Sequence, residues 1–172
     1  DHLAVEDATS LGIVGAGIQS YTQLSAIAAV RPIDEVVVSD VDDAARQAFI
    51  DSFPEFDIRT GGVEAAAQCD VLSTVTPVTE PIIDAGMPAE HTHINAMGAD
   101  APGKHELADE LLSTATIVID DFEQTTHSGE INVPWERGVL EESDIYAELG
   151  EIVAGTKPGC DPSDGVTVFD ST

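Results

Sequence analysis

Residues 10–20, SLGIVGAGIQS, join a short apolar run to a glycine pair and then to the start of an amphipathic segment. An apolar run of this length that ends in glycine is typical of a buried strand. Helical spacing of apolar residues begins at Ile18 and continues to Val30, shortly before Pro32. The pattern predicts a strand, a tight turn and a helix, which is the opening unit of a parallel α/β sheet.

The glycine pair stands where backbone conformation and free space matter most. Gly15 permits a tight turn directly after the strand, and Gly17 lets the backbone approach a pyrophosphate closely. Ser20 is small enough for the helix to pack against the strand. The first helical turn, with Ile18 and Gln19, would offer free N–H groups and the positive end of the helix dipole to phosphates. A structural glycine turn without a ligand is the simpler alternative.

An acidic residue follows this loop at the end of the next predicted strand. Asp40 lies 20 residues after Ser20, directly beyond a β-branched run at 36–38. A carboxylate there can accept hydrogen bonds from the ribose hydroxyls of adenosine, and it would repel the extra phosphate of NADP. No Arg or Lys occurs at positions 41–45 to bind such a phosphate. The sequence therefore predicts NAD rather than NADP, unless Asp40 is simply one more surface acid.

Predicted strands and helices alternate along the rest of the chain. Strands are predicted at 10–14, 35–39, 56–59, 71–75, 92–97, 116–119 and 166–169. Helices are predicted at 18–30, 42–53, 63–68, 106–112 and 145–153. Strands separated by short helices predict a Rossmann-type α/β fold, a doubly wound and mainly parallel sheet with helices on both faces. We expect a single dinucleotide-binding domain over residues 1–172.

Acidic residues dominate the composition. The chain has 33 Asp and Glu against 6 Lys and Arg, a formal net charge of -27. The acids are spread from Glu6 to Asp170, and we interpret them as a coat of carboxylates over the whole surface. Such a surface repels nucleic acid and anionic lipid, which we exclude as partners. Concentrated salt screens the self-repulsion, because the Debye length falls to about 3 Å at 1 M. The composition therefore predicts the salt-rich cytoplasm of a halophile.

Neither a metal site nor a membrane segment is expected. The five histidines show no metal-ligand spacing, although His91 and His93 could face the same way on a strand. Cys69 and Cys160 form no CxxC pair, and we expect Cys69 to pack as a small apolar residue. No run approaches the roughly 18 apolar residues of a membrane span, and no signal peptide is evident. We expect a cytoplasmic protein.

Two later strand ends carry unusual sequence. Ligands of open parallel sheets bind at the carboxyl ends of the strands. Pro77 halts the strand at 71–75, where Thr76 can offer a hydroxyl, although a plain strand stop explains Pro77 equally well. Residues 93–104, HINAMGADAPGK, form a strand and then a tight loop that presents Asp100 at the rim. A carboxylate there could act as an acid or base, although a helix cap or loop acid is the commoner role for such a residue.

These motifs together resemble the ornithine cyclodeaminase/mu-crystallin family, to which the archaeal alanine dehydrogenases belong. The segments that carry the resemblance are GAGIQ at 15–19, TVTP at 74–77, HINAMGADAPGK at 93–104, ELGEIV at 148–153 and TVFDS at 167–171. The resemblance runs from about Leu11 to the last residue. Its most specific part is the long loop between Asn95 and Lys104.

The resemblance implies an NAD-dependent enzyme that moves a hydride from the α-carbon of an amino acid to the cofactor. Hydrolysis of the resulting imine gives a dehydrogenase, and attack by the substrate's own side-chain amine gives a cyclodeaminase. Ketimine reduction uses the same chemistry in reverse. The resemblance also implies that Asp100 is the catalytic acid/base beside a small amino acid substrate. Val75, Thr76, Pro77 and Asn95 would then lie along the cofactor.

Members of this family are nearly twice as long and carry an N-terminal domain for substrate binding and dimerisation. That domain supplies basic residues for the substrate carboxylate and a catalytic lysine, and nothing in this chain matches it. We therefore expect an excised cofactor domain or a fragment, inactive alone, of a protein that is a homodimer at full length. A non-catalytic NAD(P)-binding or ketimine-reductase-like homologue of mu-crystallin is one alternative. A Rossmann enzyme of another family, such as a methyltransferase, is another.

Overall fold

The computed structural model describes residues 2–160 and 165–171, and within them eight strands form one sheet. The strands are β1 (Ser10–Val14), β2 (Glu35–Ser39), β3 (Asp57–Thr60), β4 (Val71–Thr74), β5 (His93–Ala96), β6 (Thr116–Ile119), β7 (Ile145–Glu148) and β8 (Thr167–Asp170). The helices are α1 (Ile18–Ala28), α2 (Asp43–Asp51), α3 (Val63–Ala67), α4 (Asp109–Leu112), α5 (Phe122–Ser128), α6 (Asn132–Glu136) and α7 (Leu149–Val153), with a 3-10 turn at Glu142–Asp144.

The strand order is β3-β2-β1-β4-β5-β8-β6-β7, and every pair of neighbouring strands is parallel. From β1 the chain builds outward through β2 and β3, and it then returns to the other side of β1 with β4. The direction of winding therefore reverses between β1 and β4, and ligands of such sheets bind in the crevice at this switch point. The predicted doubly wound α/β fold is confirmed.

Helices cover both faces of the sheet, because the side chains of each buried strand alternate between two cores. On one face Leu11 and Ile13 of β1 pack in a core with Leu24 of α1 and Phe49 of α2. The opposite core contains residues of β1, β2, α3 and α4, among them Val14, Val37, Ala66 and Leu111. Strands buried on both sides read as continuous apolar runs, which is why VVV in β2 is correctly predicted as a strand. Cys69 packs in the second of these cores, as predicted.

Two of the predicted helices differ from the structure. The segment predicted as a helix at 145–153 begins as strand β7, which pairs with β6, and only Leu149–Val153 is helical. The helix predicted at 106–112 starts at Asp109. Leu107 forms a β-bridge with Ile83, and its N–H donates to the carboxylate of Glu130, so it cannot belong to a helical turn. Both differences arise from partners distant in sequence, which override local propensity.

The interpretation of the acids as a surface coat is wrong at three positions. Glu106, Glu130 and Asp170 are fully buried, and each is enclosed by backbone N–H donors. Within the described residues, 2–160 and 165–171, no helix is long and apolar enough to cross a membrane. The same residues contain no group of three His, Cys, Asp or Glu side chains suited to a metal ion.

Candidate cofactor site

The glycine loop between β1 and α1 has the conformation and the free space that its sequence suggests. Gly15 has φ +99°, in the left-handed region, and a Cβ there would lie 2.9 Å from the carbonyl oxygen of Val75. Gly17 has an extended backbone, and a Cβ there would meet nothing within 4 Å. Glycine is therefore required at position 15 by the chain itself. At position 17 the fold leaves an open space above the first turn of α1.

The N-terminus of α1, like that of α6, lacks the features that satisfy the other helices. No side chain caps it, and no acid lies in its first turn. Helices α2, α3, α4, α5 and α7 each carry at least one acid there. Unpaired N–H groups and the helix dipole at such an end attract an anion. In a chain this acidic, the first turn of α1 itself carries no acid that would compete with an anionic ligand.

Two cavities adjoin this loop. The first measures about 470 Å³ and is mostly apolar, and the second measures about 250 Å³. Gly17, Val75, Thr76 and Pro77 line both cavities. The first is also lined by Gly15, Asp40, Val41, Val63, Val78 and Ile82. The second is also lined by Ile18, Gln19, Gly98, Asp100 and Lys104. An elongated ligand could therefore span both cavities across the N-terminus of α1.

Each cavity has an exposed apolar side chain at its edge. Val41 in the first cavity is fully exposed, and Ile18 in the second is 86% exposed. Most other large hydrophobic residues of the described chain are at least half-buried in the two cores. Exposed apolar side chains beside a concave surface are typical of positions that a ligand covers.

Asp40 is held rigidly at the end of β2 beside the glycine loop. Its Oδ2 accepts the N–H of Ala16 at 2.6 Å, and its Oδ1 accepts the N–H of Asp42 at 2.8 Å. Each carboxylate oxygen has further acceptor capacity, which remains available toward the first cavity. Arg46, just beyond the segment 41–45, donates to the backbone carbonyl of Asp40 and pairs with Asp43. Sequence reasoning did not identify Arg46 as a neighbour of this site.

The second cavity contains Asp100 together with a basic partner. The ammonium group of Lys104 forms an ion pair with the Asp100 carboxylate, which is more exposed than the lysine. The hydrogen bond from Lys104 lowers the pKa of Asp100, so this carboxyl is ionised at neutral pH and in that state can accept a proton. Lys104 also lines the second cavity, and the sequence of the motif at 93–104 predicts no role for it by itself.

Asn95 is the predicted site residue that lies apart from the two cavities. Its Oδ1 is 3.2 Å from Nε2 of His93, whose Nδ1 is 2.7 Å from the hydroxyl of Thr167 in β8. Burial lowers the pKa of His93 to about 4, so the ring is neutral. A role for Asn95 toward a cofactor stays a prediction. The other nine predicted residues, at positions 15, 17, 18, 19, 40, 75, 76, 77 and 100, all line a cavity.

Comparison with known proteins agrees with this geometry. The sequence profile of the ornithine cyclodeaminase/mu-crystallin family matches residues 1–172. An alanine dehydrogenase of Archaeoglobus fulgidus is 43% identical over 173 residues, which cover 99% of this chain and 54% of that protein.

Two solved structures are also similar. An archaeal alanine dehydrogenase dimer with bound NAD superposes with a TM-score of 0.97 at 42% identity, covering 99% of this chain and 54% of its own. The Thermococcus litoralis Delta(1)-pyrroline-2-carboxylate reductase, in complex with NADH and L-proline, superposes with a TM-score of 0.94 at 33% identity, covering 99% of this chain and 55% of its own. The chain thus spans about half the length of the relatives it matches. The resemblance found in its motifs is confirmed, and the chain belongs to the ornithine cyclodeaminase/mu-crystallin family.

Proposed function

We propose that this chain binds NAD across the carboxyl edge of its sheet. The observation that carries the proposal is the bare N-terminus of α1, which adjoins two cavities and has neither a capping side chain nor an acid in its first turn. The diphosphate would rest on the N–H groups of this turn, close to Gly17. The relatives whose structures contain NAD or NADH share this fold at more than 30% identity, which supports the same ligand here.

The adenosine half is assigned to the first cavity. Apolar side chains such as Val41, Val63 and Ile82 provide surfaces for the adenine ring. Asp40 stands at the end of β2, where its oxygens can accept hydrogen bonds from the ribose hydroxyls. Arg46 is already paired with Asp43 and with the Asp40 carbonyl, and no other Lys or Arg of the described residues forms an ion pair with Asp40. The phosphate of NADP would meet a negative charge, so we infer a preference for NAD.

The nicotinamide half is assigned to the second cavity, where Asp100 lies. NAD supplies the acceptor for a hydride from the α-carbon of an amino acid. Asp100 is ionised and can accept a proton at its carboxylate oxygens. Lys104 keeps it ionised and fixes its orientation through the ion pair. We propose that in the whole protein Asp100 is the catalytic base beside the substrate, and the catalytic acid in the reverse direction.

The whole protein is proposed to act on a small amino acid or its imine, as an alanine dehydrogenase, a cyclodeaminase or a ketimine reductase. The relatives are about twice as long, so we assign the substrate-binding groups and a homodimer contact to a further N-terminal domain. The 172 residues would form the cofactor domain, which we expect to be inactive alone. A non-catalytic NAD-binding protein is the alternative. Turnover of alanine, ornithine or a cyclic ketimine by the whole protein in concentrated KCl separates these possibilities.

The setting that fits this chain best is the salt-rich cytoplasm of a halophile. The net charge of -27 includes many exposed acids, whose mutual repulsion is weakened when concentrated KCl screens it. Nucleic acid and anionic membranes are unsuitable partners for the same electrostatic reason.

The cofactor assignment is tested by titrating the chain with NAD and NADP in concentrated KCl, using isothermal calorimetry. We expect NAD to bind more tightly by about tenfold or more, a typical effect of one charged hydrogen bond gained and one phosphate repelled. Asp40→Asn should weaken NAD binding and reduce the discrimination between the two cofactors. Asp34→Asn removes an exposed carboxylate next to the opposite end of the same strand, β2, and serves as the control. Tighter binding of NADP by the unaltered chain would overturn the assignment.

A further inference from the structure

Three carboxylates are buried without a basic partner among the residues that the structure describes. Glu106, Glu130 and Asp170 are each 0% exposed. In residues 2–160 and 165–171, no Lys, Arg or His forms an ion pair with any of them. Burying a carboxylate without a counter-ion is costly, and well-packed apolar residues are often more stable at such positions. The stability of the fold alone therefore does not explain why three carboxylates are buried here.

The three carboxylates form a chain of contacts in which each one anchors the backbone of the next. Asp170, at the end of β8, accepts the N–H of Glu130 at 2.8 Å and that of Ile131 at 3.0 Å. Glu130 in turn accepts the N–H of Glu106 at 2.8 Å and that of Leu107 at 2.6 Å. We call this set, Asp170, Glu130 and Glu106, the buried carboxylate cluster.

Through Glu106, the buried carboxylate cluster contacts the loops that line the second cavity. Oε1 of Glu106 accepts the N–H of Thr76 at 2.7 Å and its hydroxyl at 2.6 Å. Oε2 accepts the N–H of Gly98 at 3.0 Å. Thr76 follows β4 and Gly98 follows β5, so one side chain joins the loops after two neighbouring strands.

The fit around Glu106 leaves little freedom for either loop. A Cβ on Gly98 would lie 2.5 Å from Oε2 of Glu106 and 2.3 Å from the carbonyl oxygen of Thr76. Thr76 and Gly98 both line the second cavity, and Gly98 does not line the first. Through Thr76 the Glu106 carboxylate contacts a residue that lines both cavities, and through Gly98 it contacts one that lines only the second.

We propose that Glu106 is a positioning residue for the nicotinamide half of the cofactor, and that Glu130 and Asp170 hold it in place. Glu106 does not touch the ligand itself. It fixes Thr76 and Gly98 at the distance that the bound ring requires. The ionised form serves this role, because both of its oxygens accept hydrogen bonds. Burial raises the pKa of Glu106, and the donors from Thr76 and Gly98 oppose this effect. The inference rests on the NAD site proposed above.

The test compares NAD with ADP, which lacks the nicotinamide half, as ligands of Glu106→Gln in concentrated KCl. An amide has one acceptor and one donor group, so in either orientation its NH2 faces an N–H of Thr76 or Gly98. We expect the dissociation constant for NAD to rise by about tenfold or more, the size expected for a lost hydrogen bond to a charged group. The constant for ADP should change by less than about threefold on the same scale. Glu110→Gln, an exposed neighbour on α4, is the matched control and should leave both constants unchanged.

A purely structural role predicts a different pattern. If Glu106→Gln lowers the unfolding midpoint in urea while the ratio of the NAD and ADP constants stays the same, the proposal is wrong. Failure of the unaltered chain to bind NAD or ADP would instead contradict the proposed cofactor site. Should Glu106→Gln not fold, Glu130→Gln provides the second test, since it retains the Glu106 carboxylate and loosens only its anchor. It should shift the NAD to ADP ratio in the same direction by a smaller factor, and an unchanged ratio would equally reject the proposal.

Discussion

Alanine substitutions at the two glycines of the phosphate loop should affect different properties. Gly15→Ala should reduce the stability of the fold, and Gly17→Ala should reduce the affinity for NAD. Gly15→Ala places a Cβ 2.9 Å from the carbonyl oxygen of Val75 and 3.0 Å from Cγ2 of Thr76, at a φ of +99°. A left-handed conformation costs an ordinary residue about 1–2 kcal/mol, and the close contacts add to this. We expect Gly15→Ala to lower the free energy of unfolding by about 2–4 kcal/mol.

Gly17→Ala should leave the fold nearly intact. The backbone at Gly17 has φ -75°, and the added Cβ meets nothing within 4 Å. Exchanging glycine for alanine at an N-cap costs about 1 kcal/mol or less. The same methyl group would occupy the space into which the diphosphate must come. We therefore expect NAD to bind about tenfold more weakly or worse, a loss of about 1.4 kcal/mol or more.

Urea unfolding and NAD titration in concentrated KCl measure the two effects separately. Gly86→Ala is the control, because a Cβ there also meets open space and the residue lines neither cavity. NAD binding by Gly17→Ala as tight as that of the unaltered chain would contradict a diphosphate site at this turn. A Gly15→Ala variant as stable as the Gly86→Ala control would contradict the requirement for glycine at position 15.

Two further predictions concern salt and pH. The unfolding temperature should rise steeply between about 0.1 M and 1 M KCl, as the Debye length falls from about 10 Å to 3 Å. Circular dichroism measures it, with sucrose as an uncharged control, and a flat response to KCl would contradict the screening argument. Burial raises the pKa of Asp170 to about 7, above the 3.8 of an ordinary aspartate. Its contribution to stability is therefore complete below about pH 4 and is lost as the pH rises through about 7, a change on the order of 4 kcal/mol. Relative to Asp170→Asn, the unaltered chain should lose stability over this interval in urea titrations, and a difference independent of pH would disprove the shift.

Local sequence determines the part of the molecule that holds the phosphate loop. Strand β1, the glycine turn and α1 follow one another within 19 residues, and their start and order were predicted correctly. The reason is that a buried strand, a positive φ and a helix start each depend on residues close in sequence. Asp40 follows from the same local logic, since it ends the strand next to β1. Nine of the ten predicted site residues consequently lie at a cavity.

Only tertiary structure decides which acids are buried and which strands become neighbours. Strand β8 inserts between β5 and β6, although it is the last of the described strands, and this brings the Asp170 carboxylate to the N–H of Glu130. Segment 145–148 becomes a strand because β6 offers it hydrogen-bonding partners. Among 33 acids the sequence cannot distinguish Glu106 from a surface residue. What distinguishes Glu106 is a set of N–H donors from residues 76 and 98, which come together only when the sheet has formed.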